Sequence, residues 1–233
     1  MSSDIEHRRN LLDSARTAGT LLLLIPVSTV IALIYFPGYD ARPEYFAPYY
    51  SNIVEAGNGY LVSLMLLLGV AVLLLVLVLA LRRAPGAKDS GGMLVVTAGL
   101  TASAIGFGLA ALLGIPVWLW GRQVTDGSLT MSEAASKSEA WASASQTLIL
   151  LVGLGGLGLA LTVLGFVAYR SGWTPPVVFW TTIVVVAGVV IVGFAMTLFW
   201  FALGIPPILW TLMIGLSLLV LGTYPSDESD ATS

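Results

Sequence analysis

The sequence predicts an all-α fold: a polytopic transmembrane helix bundle of about six spans with both termini cytoplasmic. Three observations predict it. Of the 233 residues, 57% are hydrophobic and 10% charged, with a mean hydropathy of +0.92. A soluble domain carries about 25% charged residues to cover its surface. Uncharged apolar runs recur along the chain, each near the ~20 residues needed to cross a ~30 Å hydrocarbon core. The basic residues fall unevenly on the segments between those runs.

The runs lie at residues 18–37, 59–81, 93–120, 145–168, 177–203 and 205–223. The last two come from one apolar stretch between Pro175 and Pro225, too long for a single crossing. Gly204-Ile205-Pro206-Pro207 divides it, because paired prolines remove backbone donors and disfavour helix in the residue before them. A tight turn there makes two antiparallel spans; a kinked helix followed by a re-entrant segment is the alternative. The first run is read as a retained helix. It is long for a signal-peptide core, and it ends in Tyr35-Phe36-Pro37-Gly38-Tyr39-Asp40 with no small-residue cleavage pattern.

Orientation follows from the short connections. Arg8, Arg9, Arg16, Arg82, Arg83, Lys88 and Arg170 share one side of the predicted topology, against Arg42, Arg122 and Lys137 on the other. Basic residues favour the cytoplasmic face. The protein is therefore expected in the cytoplasmic (inner) membrane, multi-pass, with N- and C-termini cytoplasmic. The chain divides into an N-terminal cytoplasmic segment, 1–17, a six-helix transmembrane domain, 18–224, and a disordered acidic tail, 225–233. Ser3 and Glu6 have capping-box spacing, so the N-terminal segment reads either as an interfacial helix or as a lead-in to the first span.

The connections differ in character. Residues 37–58 carry Tyr39, Tyr45, Phe46, Tyr49 and Tyr50, with Pro37, Pro43 and Pro48 arguing against one long helix. The favoured reading is an interfacial aromatic belt, with a lid over the bundle as the alternative. In residues 121–144, Thr130 and Glu133 have capping-box spacing, and Glu133 and Lys137 stand four apart. A helix is expected to start near Met131 and run into the fourth span, with Trp141 marking the membrane surface.

Several chemistries are excluded or disfavoured by what is missing. There is no Cys and one His, His7, ahead of any apolar run. Thiol chemistry is excluded, and neither a paired-His haem site nor a His-cluster metal site can be built within one chain. No cofactor and no metal-binding or catalytic residue is assigned. The 10 basic and 13 acidic residues all lie outside the apolar runs. Ion-coupled transport and proton relays usually place ionisable groups within the membrane. The interiors of the spans hold only hydroxyls: Ser28, Thr29, Ser63, Thr97, Thr101, Ser103, Thr162, Thr181, Thr182, Thr197, Thr211 and Ser217. Ordinary helix packing accounts for these. The Gly-rich stretch Gly153–Gly158 follows no strand, so it reads as close helix packing and not as a phosphate loop.

The packing signal is clearest in the third run, where Ala102, Gly106, Ala110 and Gly114 recur every four residues on one face. Such steps favour close helix contact, either within the bundle or between copies. The third and fourth runs are expected in the core. The second, rich in Leu and Val, is expected to face lipid. A short echo links Leu113-Gly114-Ile115-Pro116-Val117-Trp118 to Leu203-Gly204-Ile205-Pro206-Pro207-Ile208-Leu209-Trp210. It reads as a repeated way of ending a helix with Gly, Pro and an anchoring Trp.

Two segments carry a resemblance: Ala15-Arg16-Thr17-Ala18-Gly19 before the first span, and Tyr169-Arg170-Ser171-Gly172 with Pro175 after the fourth. With six spans in this length, the chain resembles an uncharacterised six-span prokaryotic membrane protein family classed as a domain of unknown function. That resemblance implies the fold and no residue role. The expected function is accordingly non-catalytic: an accessory subunit, a scaffold, or a binder of lipid or another apolar ligand. The alternatives are a passive channel or facilitator for a neutral solute, and an interfacial lipid-modifying enzyme drawing on Glu55, Arg122, Glu133 and Glu139. Expected partners are membrane lipids and either a partner membrane protein or a second copy meeting the Ala102/Gly106/Ala110/Gly114 face; nothing points to nucleic acid.

Overall fold

The computed structural model describes residues 2–34, 46–83, 91–170, 172, 174–195, 209 and 211–220, and these are helical and turn structure with no strand. The helices are α1 (Ser2–Ile34), α2 (Phe46–Ala56), α3 (Asn58–Leu81), α4 (Gly91–Thr125), α5 (Met131–Thr147), α6 (Gly155–Arg170), α7 (Pro176–Ala195) and α8 (Thr211–Val220). A π-helical segment, Leu148–Leu154, joins α5 to α6, so Met131–Arg170 is one continuous 40-residue helix. Among the described residues, three helices are long and apolar enough to cross a membrane: Asn58–Leu81, Gly91–Thr125 and Met131–Arg170. The Gly204–Pro207 turn, the second copy of the Gly-Pro-Trp echo and the acidic tail lie outside the described residues.

Local chemistry sets several boundaries. Thr130 caps α5: its hydroxyl accepts from the Glu133 amide while the Glu133 carboxylate accepts from the Thr130 amide. This is the expected capping box, which satisfies two donors that a helix start would otherwise leave unpaired. Gly57 joins α2 to α3 with φ +50°, a conformation costly for any residue with a Cβ. α1 is unbroken from Ser2, so residues 3–15 continue as helix into the first apolar run. Pro48 sits in the first turn of α2, where its missing donor breaks no helical bond. Pro116 lies inside α4, which continues to Thr125, so the Gly-Pro-Trp motif does not end this helix. Inside a membrane protein, neighbouring helices and side chains re-satisfy the backbone group that a proline frees.

Contacts group the chain into two compact units, one of Met1–Leu24, Val76–Ala98 and Gly158–Ser233, the other of Ile25–Leu75 and Gly99–Leu157. In the second unit, Gly106 meets the Gly153 and Val152 backbone, and Gly114 is pressed against the Leu64 methyl groups. Phe107 lies against Gly153, and Ser103 against Gly156. Gly106, Ala110 and Gly114 of the small-residue face are thus buried within this chain. Hydroxyls join the helices as well. Ser145 donates to the Ala110 carbonyl at 2.8 Å and Ser63 to the Ala32 carbonyl at 2.7 Å. Bonds of this kind are worth about 1 kcal/mol in a membrane interior.

The second apolar run differs from expectation. In α3, Tyr60, Leu64, Leu67, Ala71, Leu74, Val78 and Leu81 are buried at alternating steps of four and three, while Val62, Met65, Val72, Leu75, Val76 and Leu79 are exposed. One face is therefore packed and the other is bare. A sequence apolar on every side carries no mark of which face is which, and in lipid the choice falls to van der Waals fit. The aromatic connection also differs where it is described. Tyr49 and Tyr50 are buried on the inner face of α2 with Ile53, and so cannot form a headgroup belt. Tyr50 donates to the Val117 carbonyl at 3.5 Å, and burial raises its phenol pKa, partly offset by a bond to Ser138. α2 packs on α5, whose buried residues, Ala134, Ala135, Ser138, Ala142 and Ser145, are all small.

Candidate functional site

The first unit contains an open groove between α7, α8 and the end of α6. The chain builds it from a tight hairpin. Gly172, with φ +71°, takes the left-handed conformation that closes α6, and its amide donates to the Tyr169 carbonyl at 3.2 Å. Pro175 and Pro176 then start α7. The Pro175 carbonyl accepts from the Phe179 amide at 3.1 Å, and Pro176 takes the first helical position, where its missing donor costs nothing. Aromatic packing holds the hairpin shut. Tyr169 stacks on Phe179 with ring centres 4.3 Å apart, and Phe166 and Trp180 meet Phe179 edge-on at 5.6 and 5.4 Å. Such pairs contribute about 0.5–1.5 kcal/mol each beyond the area they bury.

Two helix faces line the groove. Thr174, Val178, Thr181 and Thr182 supply one wall, and Leu209, Met213, Leu216, Ser217 and Val220 the other, with Tyr169 and Gly172 at the hairpin. Both sets follow the four-and-three spacing of a single helix face. The cavity volume is about 910 Å³, within the size range of small-molecule sites. Within α8 the wall rises roughly 10 Å from Met213 to Val220. None of the lining side chains is charged.

A neighbouring backbone contact fixes the α8 wall. A Cβ on Gly19 would lie 2.8 Å from the Gly215 carbonyl oxygen and 2.9 Å from the Leu219 nitrogen, so α1 and α8 touch backbone to backbone. Met213, Leu216, Ser217 and Val220 therefore stand where the Gly19–Gly215 contact holds them.

The structure brings together some of the hydroxyls read from the sequence and leaves others as packing groups. Thr181, Thr182 and Ser217 all line the groove. Thr29, Thr97, Ser103 and Thr162 donate to carbonyls of their own helices. Thr174 was not singled out by the sequence. Its only signal is a hydroxyl two residues after a Gly and directly before two prolines, a pattern that reads as a connection. It is 2% exposed, and its Oγ1 has no hydrogen-bond partner among the described residues. The charged residues considered for an interfacial enzyme do not enter the groove. Glu55, Arg122, Glu133 and Glu139 are all exposed. The Arg122 guanidinium lies over the Trp118 ring, 5.4 Å from its centre, and Glu133 serves its helix cap. Trp141 is 42% exposed and meets Trp120 edge-on at 6.4 Å. Among the described residues, no three His, Asp or Glu side chains gather as a metal-ligand set. No protein-family profile, no curated protein and no solved structure matches this chain significantly.

Proposed function

We propose that this is a six-span protein of the cytoplasmic membrane, with both termini cytoplasmic, that holds a membrane lipid or a comparable apolar ligand in the α7–α8 groove without transforming it. The groove carries the reading: about 910 Å³ of open, uncharged space lined by apolar side chains and hydroxyls. A site of that lining favours a ligand that is itself mostly apolar, since a charge placed there would lose its hydration without gaining a partner. The span count is supported by the apolar segment Arg16–Ala32 within α1, by the predominantly apolar 20-residue α7, and by the run 205–223. The excess of Arg and Lys on the 1–17, 82–88 and 170 segments supports the orientation. The resemblance to a six-span prokaryotic family agrees with the same layout.

One preparation tests both parts. Because the chain has no Cys, single cysteines report topology cleanly. Ser3→Cys and Ser229→Cys are expected to react with a membrane-impermeant thiol reagent only after the membrane is opened, and Ser128→Cys in intact spheroplasts. The opposite pattern overturns the orientation. Native mass spectrometry of the gently solubilised chain is expected to show retained lipid. A chain that emerges free of lipid under those conditions overturns the binding role.

A further inference from the structure

Resting on that groove reading, we propose that the ligand is a phospholipid whose phosphate is received where α7 begins, by the Thr174 hydroxyl and the first amides of the helix. The chain brings these groups together locally. Gly172 closes α6 by donating to the Tyr169 carbonyl, and the Pro175 carbonyl accepts the first bond of α7, from the Phe179 amide. Tyr169 stacks on Phe179 across this hairpin at 4.3 Å. Gly172, Thr174, Pro175 and Pro176 are near neighbours in the chain, and all line the groove. Pro176 has no amide, so Val177 and Val178 carry the first-turn donors that lack an intrahelical acceptor. A threonine at a helix start usually caps it, its oxygen accepting from one of those amides. Thr174 does not: it is buried, and its Oγ1 has no partner among the described residues. Such a hydroxyl is a group still to be matched.

Both features ask for the same kind of ligand group. Amides at a helix start only donate, and the hydroxyl can donate beside them, so an acceptor with several lone pairs answers both. The positive end of the α7 dipole favours an acceptor that is negatively charged. A phosphate diester supplies unesterified oxygens and a negative charge. Arg170 adds a cation nearby, exposed in the last turn of α6 and two residues before Gly172. Pro175 and Pro176 are exposed, so this end of the groove is open to a headgroup. The walls offer a charge no partner and take the tail instead. Val178, Leu216 and Val220 line the groove yet stay exposed, and the α8 wall rises roughly 10 Å, within the ~15 Å hydrocarbon depth of one leaflet.

The test uses the full chain in detergent micelles and a phosphatidylglycerol bearing a photoreactive diazirine on one acyl chain. Crosslinks are read by peptide mapping, and competition is measured with unlabelled phosphatidylglycerol, with diacylglycerol of the same tails, and with water-soluble glycerol phosphate. Crosslinks are expected on α7 and α8, with the phospholipid competing about tenfold better than the diacylglycerol, as hydrogen bonds to a charged group allow. Thr174→Val is expected to shrink that preference several-fold, and Thr174→Ser to restore it. If Thr174→Val fails to fold, the wild-type ratio and Thr174→Ser decide. Equal competition by phospholipid and diacylglycerol, or a folded Thr174→Val protein with the full preference, overturns the phosphate site while leaving the groove as a lipid site. Glycerol phosphate competing as well as the phospholipid points to a free anion and overturns the lipid headgroup. No crosslink at α7 or α8 overturns both the phosphate site and the groove reading.

Discussion

Replacing Gly106 with Ala is expected to destabilise the protein by about 1–2 kcal/mol, although Gly to Ala inside a helix usually stabilises by about 1 kcal/mol. The sign reverses because of what the new methyl group meets. A Cβ on Gly106 would lie 2.7 Å from the Gly153 nitrogen and 3.0 Å from the Val152 carbonyl carbon. Both are backbone atoms of the π-helical segment and cannot rotate aside. Either α4 or that segment must move, and overpacking of this kind costs about 1–3 kcal/mol. Gly106→Leu is expected to prevent assembly of the second unit. Gly69→Ala supplies the control, since nothing lies within 4 Å of a Cβ there. It is expected to match or exceed the wild type. Thermal unfolding in detergent, followed by Trp fluorescence, measures the series. A Gly106→Ala protein as stable as Gly69→Ala would show that the two helices do not touch as described.

Gly19→Ala is expected to damage stability and ligand retention together. Its Cβ would collide with the Gly215 oxygen and the Leu219 nitrogen at 2.8 and 2.9 Å. Both atoms belong to the α8 backbone, so α8 must shift, and the wall formed by Met213, Leu216, Ser217 and Val220 moves with it. The reciprocal change is graded. A Cβ on Gly215 would meet the Gly19 oxygen and the Leu23 side chain, each at 3.1 Å, and a leucine can adjust its rotamer. Gly215→Ala is therefore expected to cost less than Gly19→Ala, whose loss falls in the overpacking range of about 1–3 kcal/mol. Retained lipid, read by native mass spectrometry, should fall in the same order. Full lipid retention in a destabilised Gly19→Ala protein would mean that the α1–α8 contact does not shape the groove.

The sequence and the structure agree most closely where a local rule dominates. The run 59–81 appears as Asn58–Leu81, and the run 93–120 lies within Gly91–Thr125. The helix predicted from Met131 starts there, because Thr130 and Glu133 form their cap whatever the rest of the chain does. Agreement fails where a rule depends on neighbours. Proline reads as a helix stop in water, yet Pro116 lies inside α4. Aromatic residues in a connection read as a belt, yet Tyr50 is buried against small side chains of α5. The π-helical segment Leu148–Leu154 has no signal in a run of Leu, Ile, Val and Gly; it lies where Gly106 and Gly153 bring α4 and this helix into backbone contact.

The site shows the same division. Thr181, Thr182 and Ser217 could be named from the sequence as hydroxyls in apolar runs, but nothing there joined residues more than thirty positions apart or included Thr174. By itself, the sequence determined that the chain is all-α and apolar enough for a membrane, where several helices begin, and that thiol chemistry has no place in it. Those outcomes depend on composition and on interactions within one or two turns. Tertiary structure alone decided which face of α3 is packed, that α1 and α8 meet through Gly19 and Gly215, and that the walls of α7 and α8 leave a groove. In a chain whose helices are apolar on every side, burial in lipid costs the same for any face. Only the fit of backbone to backbone and hydroxyl to carbonyl separates one arrangement from another.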